Sequence, residues 1–183
     1  MTKKIMFSDK YCLTKAVLDG TKTMTRRLLK DGTPLGNWEE TVKHLPYKVG
    51  DVVAIAQSYK DVYPNADFEM IDGNFITESA GWSNKMFVKA DLLPHHIRIT
   101  DVKIELLQDI SEKDCLREGI RYYPSTDKRW ANDSGYGYHI PKNGLHLFDT
   151  PDKAFANLFE RISGKGTWES NPWVVAYEFK LID

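Results

Sequence analysis

Two long alternating runs limit what this chain can fold into. The stretch "HIRITDVKIELLQDI", residues 96–110, alternates apolar and polar residues well enough to be one strand with a kink near Thr100 and Asp101. At the C-terminal end Trp173, Val175, Tyr177, Phe179 and Leu181 take every second position and form one face of a final strand. "KVGD" at 48–51 is a tight turn that feeds the apolar run Val52 to Ala56, a buried strand. Residues 22–29 are rich in Thr, with Met24 and Leu28 on one parity, and read as a further strand. These strands have few helices between them, and most connections are too short for a right-handed crossover. The pattern therefore predicts an α+β fold: a curled antiparallel sheet or small barrel flanked by helices. Val52, Val53, Ile55, Ile99, Val102, Ile104, Val175, Tyr177 and Phe179 are its expected core or strand-packing residues.

Three helices have readable starts. Ser8 or Asp9 can cap one whose apolar positions Cys12, Leu13, Ala16 and Val17 follow helical spacing, with Gly20 as its stop. Ser111 and Asp114 form a capping box for "SEKDCLREGI", which ends near Gly119. Thr150 caps a third, with Pro151 first and Ala154, Phe155, Leu158, Phe159 and Ile162 on one face. The polar stretch 60–84 reads as irregular or a loose hairpin, and 121–150 as a loop insertion. The whole chain, 1–183, is expected to be one domain.

With 42% hydrophobic and 28% charged residues the composition suits a globular chain, and no run approaches the ~18 apolar residues of a membrane helix. A secretory h-region is missing as well, so a cytoplasmic location is expected. Cys12 and Cys115 have no CxxC spacing and read as reduced core thiols. A net charge of −1 excludes a uniformly basic nucleic-acid binder. The charge is uneven, however: residues 1–30 hold eight Lys and Arg against two Asp. Such a basic end marks either an anionic partner or a solvated face.

Its densest part is "GTKTMTRR", residues 20–27, which straddles a helix stop and a strand start. Gly20, Lys22 and Arg27 fit the GxKxxExR pattern of the ASCH domain, a PUA-like β-barrel fold, and stand where that family places them. "YKVGD" at 47–51, "LQDISEKDCLREGI" at 107–120 and "LFERISGKGTWESNPWVVAYEFKLI" at 158–182 resemble a phage and prophage branch of ASCH-like proteins. Thr25 stands where the general pattern has Glu. The small bacterial ASCH enzymes that look like N4-acetylcytidine amidohydrolases carry the same replacement. The resemblance implies a PUA-like barrel, with Lys22, Thr25 and a helix glutamate, matched here to Glu118, as catalytic residues. It implies no metal and no cofactor.

The residue types suit the chemistry. Amide hydrolysis needs a nucleophile, a base and stabilisation of the oxyanion. Thr25 supplies a hydroxyl. Lys22 serves as base only if desolvation or the nearby cations Arg26 and Arg27 lower its pKa, a change that Glu118 resists. In an ideal strand Lys22 and Thr25 point to opposite faces, so their convergence requires Lys22 to lie in the turn before regular pairing begins. Gly20, Arg26, Arg27 and Arg98 are candidate contacts to a ligand or nucleic acid. Two function classes stand: an amidohydrolase of a modified nucleoside, and a non-catalytic PUA-like module binding RNA or single-stranded nucleic acid. In the second class, Trp168, Trp173, Tyr136 and Tyr138 are candidate stacking residues, with Trp173 having the stronger claim to the core. His95, His96, His139 and His146 lack metal-ligand spacing, and "GKGT" at 164–167 follows a helix and reads as a turn.

Overall fold

The computed structural model describes residues 3–66, 68–125 and 134–183. Five strands form the main sheet: β1 (Lys3–Ile5), β2 (Met24–Leu28), β3 (Val52–Ile55), β6 (His96–Leu106) and β10 (Trp173–Leu181), in the order β1-β3-β6-β10-β2. Every pair is antiparallel except β1 with β3, so the sheet is mixed. The α+β class stands. Closure of the barrel by backbone pairing does not: among the described residues no ladder joins the edge strands β1 and β2. The two edges nevertheless approach each other, because the Arg27 guanidinium on β2 donates to the Met6 carbonyl just beyond β1 at 2.6 Å.

The long pair β6 and β10 is the spine of the sheet. Its register places Ile104 opposite Val175 and Val102 opposite Tyr177, then shifts so that Ile99 faces Phe179 and Ile97 faces Leu181. Thr100 is the extra residue of this bulge. The bulge is what lets apolar residues at odd positions 97 and 99 share a face with those at even positions 102 and 104. The kink legible at Thr100 and Asp101 is therefore a phase change in the side-chain alternation. Val53, Ile55, Ile99, Val102, Val175, Tyr177 and Phe179 are buried and Ile104 partly so, whereas Val52 faces outward. On β3 the alternation serves two cores, since Val53 and Ile55 join the main one while Ala54 and Ala56 pack with Tyr59, Ile76, Val88 and Leu93.

Among the described residues five α-helices flank the strands: α1 (Leu13–Leu18), α2 (Trp38–His44), α3 (Tyr59–Val62), α4 (Glu112–Arg117) and α5 (Pro151–Ser163). The first starts later than its spacing predicts. Asp9–Tyr11 form a 3-10 turn, Cys12 is left-handed at φ 55°, and neither Ser8 nor Cys12 caps with its side chain. Ser111 does cap α4, accepting from the Asp114 N–H at 3.1 Å. At α5 Pro151 is the first residue, but Thr150 caps only through its carbonyl and its hydroxyl is buried without a partner. The 60–84 stretch holds a small hairpin, β4 (Met70–Ile71) with β5 (Asn74–Phe75).

The loop expected over 121–150 is replaced, over its described residues, by a three-stranded antiparallel sheet: β7 (Arg121–Tyr123), β8 (Gly135–Ile140) and β9 (Gly144–Phe148). Residues 126–133, also within that expectation, lie outside the described residues. Its glycines misled the sequence reading. A Cβ on Gly137 would sit 1.8 Å from the His146 carbonyl oxygen, so the glycine is there to let β9 approach, not to make a turn. No described helix is long and apolar enough to cross a membrane.

Candidate functional site

A helix end and a strand start build the site. At Gly20, φ +71°, the chain turns off α1. The N–H groups of Thr21 and Lys22 then both donate to the Ala16 carbonyl at 2.9 Å. Lys22 thus lies in the turn, before β2 begins at Met24, and the parity obstacle to its meeting Thr25 is removed. The Thr23 N–H donates to the Arg117 carbonyl at 2.8 Å, which brings the C-terminal end of α4 alongside. Glu118 is the residue after α4. Gly119 follows at φ +105°, where a Cβ would lie 3.3 Å from Leu13.

These elements place Lys22, Thr25 and Glu118 on one cleft of about 420 Å3. Lys22 and Glu118 are only 2% and 4% exposed. The Lys22 ammonium donates to Glu118 Oε2 and to the Glu118 backbone carbonyl, each at 2.7 Å, and lies 5.9 Å from the Phe7 ring centre. Burial pushes the Lys22 pKa down, against the pull of Glu118, with Arg27 and Arg26 adding to the fall. Thr25 also borders the cleft, and its hydroxyl has no protein partner among the described residues. The opposite wall is apolar: Phe155, Leu158, Phe159 and Ile162 of α5, with Met6, Phe7 and Leu13.

The two arginines diverge. The Arg26 side chain is 0% exposed and meets three carboxylates: Glu105 through Nε at 2.7 Å, Asp114 through Nη2 at 3.1 Å and Glu118 through Nη1 at 3.1 Å. Burial works against its charge, but Glu118 and Glu105 outweigh it and raise its pKa. Lys103 bonds Glu105 and Asp114, and Arg117 bonds Asp114 and Glu178. The result is one connected network of four cations and four carboxylates. Arg27, on the other face of β2 opposite Val175, has one bond to Met6, and its Nε is buried without a partner.

Two of the three cations lining the cleft, Lys22 and Arg26, are therefore matched by acids, which leaves Arg27 as the lining cation without a carboxylate partner among the described residues. Arg98 lies elsewhere: it is exposed on β6, opposite Val52 and Lys180, and is not among the residues lining the cleft. Gly20 shapes the turn without lining the cleft. Trp173, expected in the core, is 45% exposed, while Trp168 packs edge-on against Phe155. His96 pairs with Asp183 and His146 stacks on Tyr138. "GKGT" is a turn whose Gly166 N–H donates to the Glu160 carboxylate, the place an anion would need. Among the described residues no group of His, Cys, Asp or Glu is placed to hold a metal ion.

Glu105 and Asp114 escaped the sequence reading as site residues. Asp114 reads as the partner of Ser111 in a capping box, but its carboxylate turns to Arg26 and Lys103 instead. Glu105 carries one signal, its place two residues after Lys103 on the outer parity of β6, where both meet Arg26's face.

No family model matches the chain, and no curated protein matches it. Among solved structures it is similar to an ASCH domain from Lactobacillus crispatus JV V101 at 16% identity and a TM-score of 0.40, over 98% of this chain and 78% of that one. It is also similar to a DUF984 protein from Enterococcus faecalis V583 at 16% identity and a TM-score of 0.39, over 93% of this chain and 67% of that one.

Proposed function

We propose that this cleft is the active site of an amidohydrolase that removes an acyl group from a small nucleoside-like molecule, N4-acetylcytidine being the first to test. One observation carries the reading. A buried lysine with a lowered pKa and a threonine hydroxyl free of protein partners border the same cleft, with a glutamate holding the lysine. The "GTKTMTRR" resemblance to amidohydrolases of the ASCH type supports the same roles, and with them a PUA-like fold of the phage and prophage branch.

In this mechanism neutral Lys22 takes the proton of the Thr25 hydroxyl as Thr25 Oγ bonds to the amide carbon. Arg27, which lines the cleft without a carboxylate partner among the described residues, is the guanidinium nearest to hand for the developing oxyanion. As the C–N bond breaks, Lys22 returns the proton to the leaving amine. Water then cleaves the acyl-threonine ester, with Lys22 accepting and returning a proton again. Glu118 fixes the amine. The apolar α5 wall suits a planar ligand with little charge of its own.

The purified protein is incubated with N4-acetylcytidine and deacetylation is followed by mass spectrometry. Thr25→Val keeps the β-branched shape and should lower turnover by about a thousandfold or more while ligand affinity stays within a few fold. Turnover unchanged by Thr25→Val would end the nucleophile assignment. The second reading, a non-catalytic module for RNA or single-stranded nucleic acid, is favoured by the half-exposed Trp173 and Trp38, which border one groove. It predicts no turnover, and oligonucleotide binding that Arg27→Ala weakens.

A further inference from the structure

Arg26 sits in the motif and borders the cleft, but its side chain is wholly buried and its side-chain hydrogen bonds all go to carboxylates. What it does touch is the group that holds Lys22. Glu118 has two oxygens: Oε1 goes to Arg26 and Oε2 to Lys22. We propose that Arg26 is a positioning residue for the Lys22–Glu118 pair, taking one carboxylate oxygen, leaving the other to Lys22, and so setting how readily the Lys22 amine gives up its proton. The proposal rests on the reading of Lys22 as the base.

The charges facing Lys22 are few. The end of α4 contributes Glu118, and β2 contributes Arg26 and Arg27. The N-terminal lead and α1 contribute the apolar Phe7 and Leu13, and α5 contributes Phe155, Leu158, Phe159, Ile162 and the uncharged Ser163. A carboxylate bonded only to a buried lysine would hold its proton strongly. Here part of that carboxylate's charge is already answered by a guanidinium. Arg26 is itself fixed in a fork by Glu105 and Asp114, which are in turn answered by Lys103 and Arg117. Changes two steps out should therefore reach Lys22 with a predictable sign. Neutralising Arg26 strips its compensation from three carboxylates, so the lysine holds its proton to higher pH. Neutralising Asp114 removes one negative charge that competes for Arg26, so Arg26 turns more fully on Glu118 and the lysine lets go at lower pH.

The test needs no substrate. The full chain is labelled with 13C-lysine, and the Lys22 Cε signal, identified by its absence in Lys22→Arg, is titrated by NMR. Arg26→Gln should raise the midpoint by about one pH unit or more, a tenfold smaller neutral fraction at fixed pH. Asp114→Asn should lower it by about half a unit, and Arg26→Lys should keep it within about half a unit of the parent. The opposite signs separate positioning from general destabilisation. Shifts in the same direction, or a midpoint moving by less than about 0.3 unit in both charge-removing variants, would overturn the proposal. Should Arg26→Gln fail to fold, Asp114→Asn decides alone, since an unmoved or raised midpoint is then fatal. Opposite shifts with no hydrolysis of N4-acetylcytidine would sink the amidohydrolase reading and leave the role of Arg26 standing.

Discussion

Arg26 and Arg27 are neighbours of identical chemistry on one strand, and the molecule treats them in opposite ways. Strand alternation sends Arg26 to the face shared with Glu105, Lys103 and α4, where three carboxylates answer it. It sends Arg27 to the face of Val175 and Tyr177, where it finds one carbonyl and keeps an idle Nε beside the cleft. A cation held by buried acids is architecture, and one that lines a cleft without an acid beside it keeps its charge uncompensated. Charge density along a sequence does not distinguish the two.

The sharpest way to break this contrast is thermodynamic. Arg26→Ala leaves buried carboxylates unpaired and should cost about 3–5 kcal/mol in urea unfolding. Arg27→Ala should cost about 1 kcal/mol, the value of a single hydrogen bond. Similar losses in the two variants would erase the distinction.

At the seam between the two regions stands Gly119. Its φ of +105° belongs to glycine, and an added Cβ would crowd Leu13 at 3.3 Å and come into ordinary contact with the Lys22 stem at 3.7 Å. Gly119→Ala should destabilise by about 1–3 kcal/mol and disturb the Lys22–Glu118 pair, seen as a displaced Lys22 NMR midpoint. A silent substitution would mean that the helix end does not fix the site.

The network side should also respond to acid. Burial raises the Asp114 pKa, but Lys103 and Arg26 outweigh it and hold the carboxyl below its ordinary range. With the folded pKa depressed, the unfolded chain takes up the proton first. The stabilisation is thus fully present above about pH 4 and is lost as pH falls through the folded value. In Asp114→Asn the denaturant midpoint should fall less steeply below pH 4 than in the parent. Parallel curves would remove Asp114 from the linkage.

The smallest effect is the most telling for the cleft. If nucleic acid binds there, Arg27 is, among the described residues lining the cleft, the one cation with no acid beside it, since Lys22 and Arg26 are matched by acids. The logarithmic salt dependence of single-strand binding should therefore have a slope of about −0.7, where three free cations would give about −2. A steep slope would show that the network opens on binding.

Much of this protein follows from its sequence alone. Alternation along 96–110 and 173–181 determined the two long strands, the first ending at Leu106 before a 3-10 turn, and a kink near Thr100 and Asp101 was legible, because side-chain period is a local property of a strand. That the two strands pair and that the kink is a bulge came from the fold. Gly20 determined the turn that frees Lys22 from strand parity, and Ser111 the start of α4, because capping and left-handed backbone are likewise local. Other features were decided only in three dimensions. The parallel pairing of β1 with β3, and Gly135 and Gly137 serving close strand approach, depend on partners that local pattern does not name. The same holds at the site. Lys22 lies 96 positions from Glu118, and Arg26 lies 79 from Glu105 and 88 from Asp114. Whether a cation is free or matched is settled by which acids the fold brings within about 3 Å, and Coulomb energy and desolvation depend on that distance and burial rather than on order along the chain.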